Sequence, residues 1–171
     1  MGCWNGVPVQ FHINLILGAN LETSVNASSS ISFIMTPIMA QSVINLVLAL
    51  LLGVAIGLER QLRKHPAGLH TNALVCMGSA AYVLVGVLVT QNVDPTRIAG
   101  QVVTGVGFMC AGVIWHEGVT VRGLNTAATV WCTAAVGILA GLNFPFMAII
   151  AAIIVLGANI LLHWIEHRYF E

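Results

Sequence analysis

The sequence predicts an all-α polytopic membrane protein: a five-helix transmembrane bundle with its amino terminus outside and its carboxy terminus inside. Three observations predict it. Of 171 residues, 58% are hydrophobic and only 7% charged, where a soluble domain carries about 25% charged residues. The mean hydropathy is +0.92. Five apolar stretches without a Lys, Arg, Asp or Glu in their interiors approach the ~20 helical residues needed to cross a bilayer core about 30 Å thick.

The predicted spans run from about Ile38 to Leu58, Ala73 to Gln91, Ile98 to Trp115, Leu124 to Leu142 and Phe146 to Trp164. Thr36 before Pro37 and Asp94 before Pro95 each place a capping oxygen ahead of a proline suited to the first helical position. Thr71 or Asn72 is expected to cap the second span, Asn125 the fourth and Asn143 the fifth. Residues 141–145 leave room only for a tight turn, so the last two spans form a helical hairpin. The expected organisation is a partly irregular periplasmic segment over 1–36, the bundle over 37–165 and a short cytoplasmic tail over 166–171.

Basic residues in short loops set the orientation. With the first loop in the cytoplasm, Arg60, Arg63, Lys64, Arg122 and Arg168 lie inside and Arg97 alone lies outside. The opening segment has no basic stretch of the signal-peptide kind, and residues 25–32 read as a serine-rich linker. Its Asn26, Ala27, Ser28 triplet fits a glycosylation pattern that is frequent by chance.

Helices in lipid associate through close packing and interhelical hydrogen bonds, because the lipid is as apolar as leucine. Small residues recur at a four-residue period: Ala49, Gly53 and Gly57 in the first span, and Thr133, Gly137 and Gly141 in the fourth. The third carries Gly100, Thr104, Gly107 and Ala111, with Gly105 and Gly112 nearby. Together they favour a compact bundle. Asn45, Gln101, Thr104, Thr129 and Asn159 fall at depth and need partners. Interhelical hydrogen bonds are the expected solution, and Gln101 is the best candidate for a functional role.

Composition also excludes. Lys plus Arg and Asp plus Glu balance at six each, which argues against a nucleic-acid partner. Cys3, Cys76, Cys110 and Cys132 have neither CxxC nor zinc-ligand spacing, so they read as packing residues. His163, Glu166 and His167 make an H-x-x-E-H string that can mark a zinc peptidase. Only four residues follow it, and an interfacial anchor with Trp164, Tyr169 and Arg168 accounts for it better. Asp94 and Arg97 suggest an ion pair compatible with capping. Glu59 and Arg60 end the first span, where both can snorkel to the interface. Glu117 and Arg122 flank Gly118 and Gly123 in a third loop that can dip toward the membrane. No catalytic triad, phosphate loop or nucleotide fingerprint is present, so neither an enzyme nor a cofactor is expected. No acidic residue lies between Asp94 at the outer face and Glu59 and Glu117 at the inner one. A Mg²⁺ carrier built from one chain is therefore not expected, although an oligomeric pore remains open.

Four segments in order carry a family resemblance: GVAIGLER at 53–60, AGLHTNALV at 67–75, DPTRIAGQ at 94–101 continuing to Gly112, and VRGLNTAA at 121–128. They resemble the MgtC/SapB family of bacterial inner-membrane proteins over about Leu46 to Leu142. The resemblance implies a multi-pass inner-membrane regulator associated with growth at low magnesium and, in pathogens, with virulence and survival inside macrophages. It implies modulation of a membrane ATPase, such as ATP synthase, or of membrane potential. The alternative is a small homo-oligomeric transporter or channel for magnesium or protons. The positions that match the family pattern are Glu59, Arg60, Asp94, Arg97, Gln101, Arg122, Asn125 and Thr126. Many virulence-associated members carry a soluble cytoplasmic domain after the fifth span. This sequence ends a few residues beyond that span, so that domain's function is not carried over.

Overall fold

The structure, a computed structural model, describes residues 37–89 and 94–169. The expected periplasmic segment, with Cys3, the Asn26 triplet and the Thr36 cap, lies outside the described residues. Ser42–Glu171 forms one compact unit. Five helices are described: α1 Pro37–Leu62, α2 Leu69–Val89, α3 Pro95–Ala111, α4 Leu124–Gly141 and α5 Pro145–Tyr169. Between α3 and α4 lies a hairpin of β1 Trp115–Glu117 and β2 Thr120–Arg122. Four helices are long and apolar enough to cross a membrane. The remaining one, α3, has 17 residues, the lower end of the spanning range.

Apolar character is inverted relative to a soluble protein. The buried cluster uniting α1, α2, α4 and α5 consists of Ala49, Ile56, Cys76, Ala80, Val136, Ala140, Ala148 and Ala152. A second cluster joins Val75 of α2, Val106 and Cys110 of α3, and Ala127, Val130 and Ala134 of α4. Bulky residues such as Phe108, Tyr82, Trp131, Phe146 and Trp164 stay exposed. Small residues inside and large ones outside is the arrangement that lets helix backbones approach in lipid.

The small-residue stripes explain why α2 sits between α1 and α4. A methyl group on Gly53 would lie 2.7 Å from the Asn72 carbonyl oxygen, and one on Gly57 2.7 Å from the Leu69 Cα. On the opposite side, a methyl on Gly141 would lie 2.7 Å from the Ala80 carbonyl oxygen, and one on Gly137 would strike the Cys76 backbone. The third stripe behaves differently: Gly100, Gly105 and Gly107 face open space. The expectation that it packs within the bundle is corrected.

Helix ends also depart from expectation. No Thr71 or Asn72 side chain caps α2. Instead the Gln61 Oε1 accepts from the Leu69 N–H at 3.2 Å, and α2 starts four residues before Ala73. At α4 the cap position is Gly123, with φ of 90° and no side-chain cap bond, so Asn125 falls inside the first turn. A side chain on Gly123 would also collide with the Val113 carbonyl, so glycine is required twice over. Asn143 does not cap α5. It closes α4 with φ of 64°, while its N–H bonds to the Ala140 carbonyl and the Phe144 N–H to the Leu139 carbonyl, a Schellman motif. The same motif ends α1, with Lys64 at φ of 59°, its N–H on Gln61 and the His65 N–H on Arg60.

The third helix stops at Ala111, short of the expected Trp115. Beyond its Gly112 cap, β-branched residues favour the extended hairpin, in which Trp115 pairs with Arg122 and Glu117 with Thr120. Gly118 alone has positive φ in the two-residue turn, the type II′ pattern. The expected tail from Glu166 is helical through Tyr169.

Candidate functional site

Polar side chains collect where α1 ends and α4 begins. Expected to snorkel, Arg60 is instead 2% exposed. The physical reason is that α1 continues to Leu62, and Arg60 lies on the face turned toward the start of α4. There its Nη2 donates to Thr126 Oγ1 at 3.0 Å, while its buried Nε has no hydrogen-bond partner. Next to it, Glu59 lies 2.5 Å from Arg63 Nε. That contact is an ion pair by distance without hydrogen-bond alignment, and both Glu59 oxygens are buried without a hydrogen-bond partner.

A cavity of about 390 Å³ opens beside this contact, lined by His65, Pro66, Trp115, Arg122, Gly123, Asn125 and Thr126. Arg122 reaches across the hairpin to Glu117 at 2.8 Å, and both side chains are well exposed. The diagonal contact follows from the strand register, which puts residues 115, 117, 120 and 122 on one face. Burial pushes the His65 imidazole below its ordinary value, with Arg60, His163 and Arg63 acting in the same direction and Glu59 opposing.

Five of the eight positions singled out from the sequence thus meet at one end: Glu59, Arg60, Arg122, Asn125 and Thr126. Of the other three, Asp94 and Arg97 lie at the far end of α2, whose 21 residues extend ~30 Å, and Gln101 lies farther along α3. Here Ile98 of α3 abuts Gly86. Asp94 caps α3, accepting from the Thr96 N–H at 2.9 Å; hydrogen bonding from the Thr96 side chain and then from its N–H holds the carboxyl below the usual range, with Arg97 adding a smaller effect. Among the described residues the ion pairs are Glu59–Arg63 and Glu117–Arg122, so the expected Asp94–Arg97 pair is corrected to a cap with a nearby charge. Gln101 is exposed and lines an apolar cavity of about 750 Å³ between α2 and α3, with Tyr82, Ile98 and Met109. Thr104 satisfies itself on the Gly100 carbonyl at 3.0 Å.

The other polar groups flagged at depth are pinned between helices. Asn45 Nδ2 donates to Asn143 Oδ1 at 3.1 Å. Thr129 Oγ1 lies 3.0 Å from the Asn125 carbonyl and 3.3 Å from the Asn159 amide oxygen. A hydroxyl has one hydrogen, and Asn159 Nδ2 is buried without a partner. The network closes when the Asn159 amide is turned so that its nitrogen donates to Thr129. Sequence reasoning offered Asn72 only as a cap, whereas it is fully buried. Its Nδ2 donates to the Ala67 and Gly68 carbonyls, and Thr133 Oγ1 lies 3.0 Å from its Oδ1. The available signal was its place four residues before Cys76, on the glycine-contacting face of α2. Among the described residues no three His, Cys, Asp or Glu side chains gather as a metal-ligating group.

Comparison with known proteins agrees with this architecture. The MgtC family model matches residues 46–168. The chain is 53% identical over 126 residues to Protein MgtC of Salmonella typhimurium (strain LT2), covering 74% of this chain and 54% of that protein. It is 51% identical over 114 residues to Protein MgtC of Brucella abortus (strain 2308), covering 67% and 48% respectively. It is 50% identical over 122 residues to the uncharacterized protein slr0014 of Synechocystis, covering 71% and 52%. The chain spans about half the length of the curated relatives it matches. No solved structure matches it. On the family model and these identities, the chain is a multi-pass inner-membrane protein that belongs to the MgtC family.

Proposed function

We propose that the protein is a non-catalytic regulator that acts by contacting another membrane protein, with a membrane ATPase such as ATP synthase as the leading partner. The setting is adaptation to low magnesium and, in pathogens, survival inside macrophages. The observation that carries this reading is the placement of polar groups. Ionisable side chains sit at the helix ends, while the polar residues at depth in α1, α4 and α5 are tied to polar side chains of neighbouring elements: Asn45 to Asn143 in the α4–α5 turn, Thr129 to Asn159, and Thr133 to Asn72 of α2. That arrangement suits a scaffold better than an ion path. On α3, the open glycine face beside exposed Gln101 and Thr104 suits a close-packed partner helix. Affinity capture of the tagged chain from cells grown at low magnesium is expected to recover a membrane ATPase subunit, and Gly105→Leu is expected to reduce that recovery. Capture of the chain with lipid alone would overturn the proposal.

One feature favours a second reading, a small oligomeric channel for magnesium or protons: Gln101 and Thr104 are exposed at membrane depth. Proton or Mg²⁺ flux into liposomes holding the purified chain, abolished by Gln101→Leu, would establish it. Silent vesicles would remove it.

A further inference from the structure

Unpaired hydrogen-bonding groups converge on the apolar cavity between α2 and α3. On other helix faces the hydroxyls at depth are partnered: Thr104, Thr129 and Thr133 each bond the carbonyl four residues back. Ser79 does not. It is 3% exposed and lines the cavity, and among the described residues its hydroxyl has no hydrogen-bond partner. Tyr82 and Gln101 line the same cavity, also without a partner among the described residues. A buried hydroxyl is costly when left unpaired, and the bilayer core holds no water to pair it.

The cavity, about 750 Å³, has the size and the mostly apolar lining of a small-molecule site. Gly78 and Gly105 line it, and a methyl group on either would meet nothing within 4 Å. Leu74, Tyr82 and Met109 are exposed at its mouth, so it opens toward lipid. Its walls meet at both ends: Ile98 abuts Gly86, and Val75 shares a buried cluster with Val106 and Cys110. A helix about 10–12 Å across cannot enter between walls joined in this way. A flexible hydrocarbon tail can.

Depth and charge narrow the ligand further. Ser79 is the eleventh of the 21 residues of α2, about 15 Å from either end and so at the middle of a core about 30 Å thick. Tyr82, counted from Val89, and Gln101, counted from Pro95, lie about 10 Å inside the other end of the groove. The ester oxygens of a phospholipid stay at the edge of the core, tied to a charged headgroup. Among the described residues no Asp, Glu, Lys or Arg lines the cavity, so a charged ligand finds no counter-charge. The fit is to a neutral lipid that carries acceptor oxygens on a compact ring at the end of a long apolar tail.

We propose that this groove binds an isoprenoid quinone. Its ring carbonyl oxygens accept from the Ser79 hydroxyl and from Gln101 or Tyr82, and its tail runs past Gly78 and Gly105 to the mouth at Leu74 and Met109.

The test uses the full chain in phosphatidylcholine nanodiscs, titrated with decylubiquinone or with decylbenzene, which carries the same tail on a ring without carbonyl oxygens. Binding is read as a rise in thermal midpoint. A saturable rise with decylubiquinone, absent with decylbenzene, is expected. Ser79→Ala and Gln101→Leu each remove a donor and are expected to weaken binding about tenfold. Gly78→Leu fills the groove and is expected to abolish binding. Gly157→Leu, on α5 and likewise in open space, is expected to bind as the wild type. Where Gly78→Leu does not fold, the two donor variants decide the question. Equal rises with both compounds would mean a groove for hydrocarbon alone, such as a phospholipid tail, and overturn the proposal. So would no rise with either compound, full binding by folded Gly78→Leu, equal loss in Gly157→Leu, or unchanged affinity in both donor variants.

Discussion

The Thr133 hydroxyl lies 3.0 Å from Asn72 Oδ1, with both side chains fully buried between α4 and α2. The same Asn72 ties its Nδ2 to the Ala67 and Gly68 carbonyls, so one amide joins a helix pair to the loop that precedes it. Side-chain hydrogen bonds between membrane helices average about 0.6 kcal/mol and reach about 1.7. Thr133→Val is expected to destabilise the bundle by about 1 kcal/mol, leaving Asn72 Oδ1 without its donor. Asn72→Ala strands the Ala67 carbonyl as well, while Gly68 keeps the bond from the residue 72 N–H, and is expected to remove about 2 kcal/mol. Unfolding in mixed dodecyl sulfate micelles measures both, and the double variant must fall short of additivity by the coupling energy. Full additivity would mean that the contact contributes nothing.

Two glycines of equal sequence character are expected to respond oppositely. Gly137 faces the Cys76 backbone, while Gly105 faces open space. Gly137→Ala forces α2 and α4 apart and is expected to lose about 1–3 kcal/mol, the range for overpacking. Gly105→Ala is expected to gain up to about 1 kcal/mol from helix propensity. The same unfolding assay decides it.

The helix count and the α1 and α4 stripes were legible because span length and four-residue spacing are local in sequence. Other features depended on which helix a side chain faces. Gly100 and Gly107, seven residues apart, share a helix face as Gly53 and Gly57 do at four, yet pack against nothing, because spacing says that a face is smooth and not what covers it. Arg60 followed an apolar run and read as an interfacial charge. Its burial depends on Thr126, 66 positions later. The α4 cap was missed because its geometry is carried by Gly123, while Asn125 offered the more familiar capping side chain.

Lys64 holds the left-handed conformation that ends α1, with φ of 59°. For a residue with a Cβ this costs about 1–2 kcal/mol, and glycine avoids it. Lys64→Gly is expected to raise stability by about 1 kcal/mol, while Lys64→Val is expected to lower it. The comparison separates backbone strain from loss of charge, since both variants remove the ammonium group.

His65 makes stability depend on pH with a definite sign. Burial, with Arg60, His163 and Arg63, depresses its folded-state value below the ordinary 6.5, against the pull of Glu59. Between that depressed value and 6.5, the unfolded chain binds more protons than the folded one. This contribution to stability therefore falls as pH drops below 6.5 and is retained above it. His65→Gln is expected to flatten that segment of the pH–stability curve, read as thermal midpoint from pH 5 to 8. An unchanged slope would assign the dependence to other groups.

Loop positions give the arrangement across the bilayer a direct test. The Arg60–Thr126 bond puts the α1–α2 loop and the β-hairpin at one end of the bundle, and the Asn45–Asn143 bond ties the α4–α5 turn to the opposite end of α1. Arg60, Arg63, Lys64 and Arg122 fall at the first end and Arg97 at the other, so the first end is expected to face the cytoplasm. In a variant with its native cysteines replaced by alanine, Thr96→Cys and Phe144→Cys are expected to react with a membrane-impermeant maleimide in spheroplasts. Lys64→Cys and Val119→Cys are expected to react only after the membrane is opened. Because α3 separates Thr96 from Val119, labelling of these two on the same side would mean that the 17-residue helix does not cross.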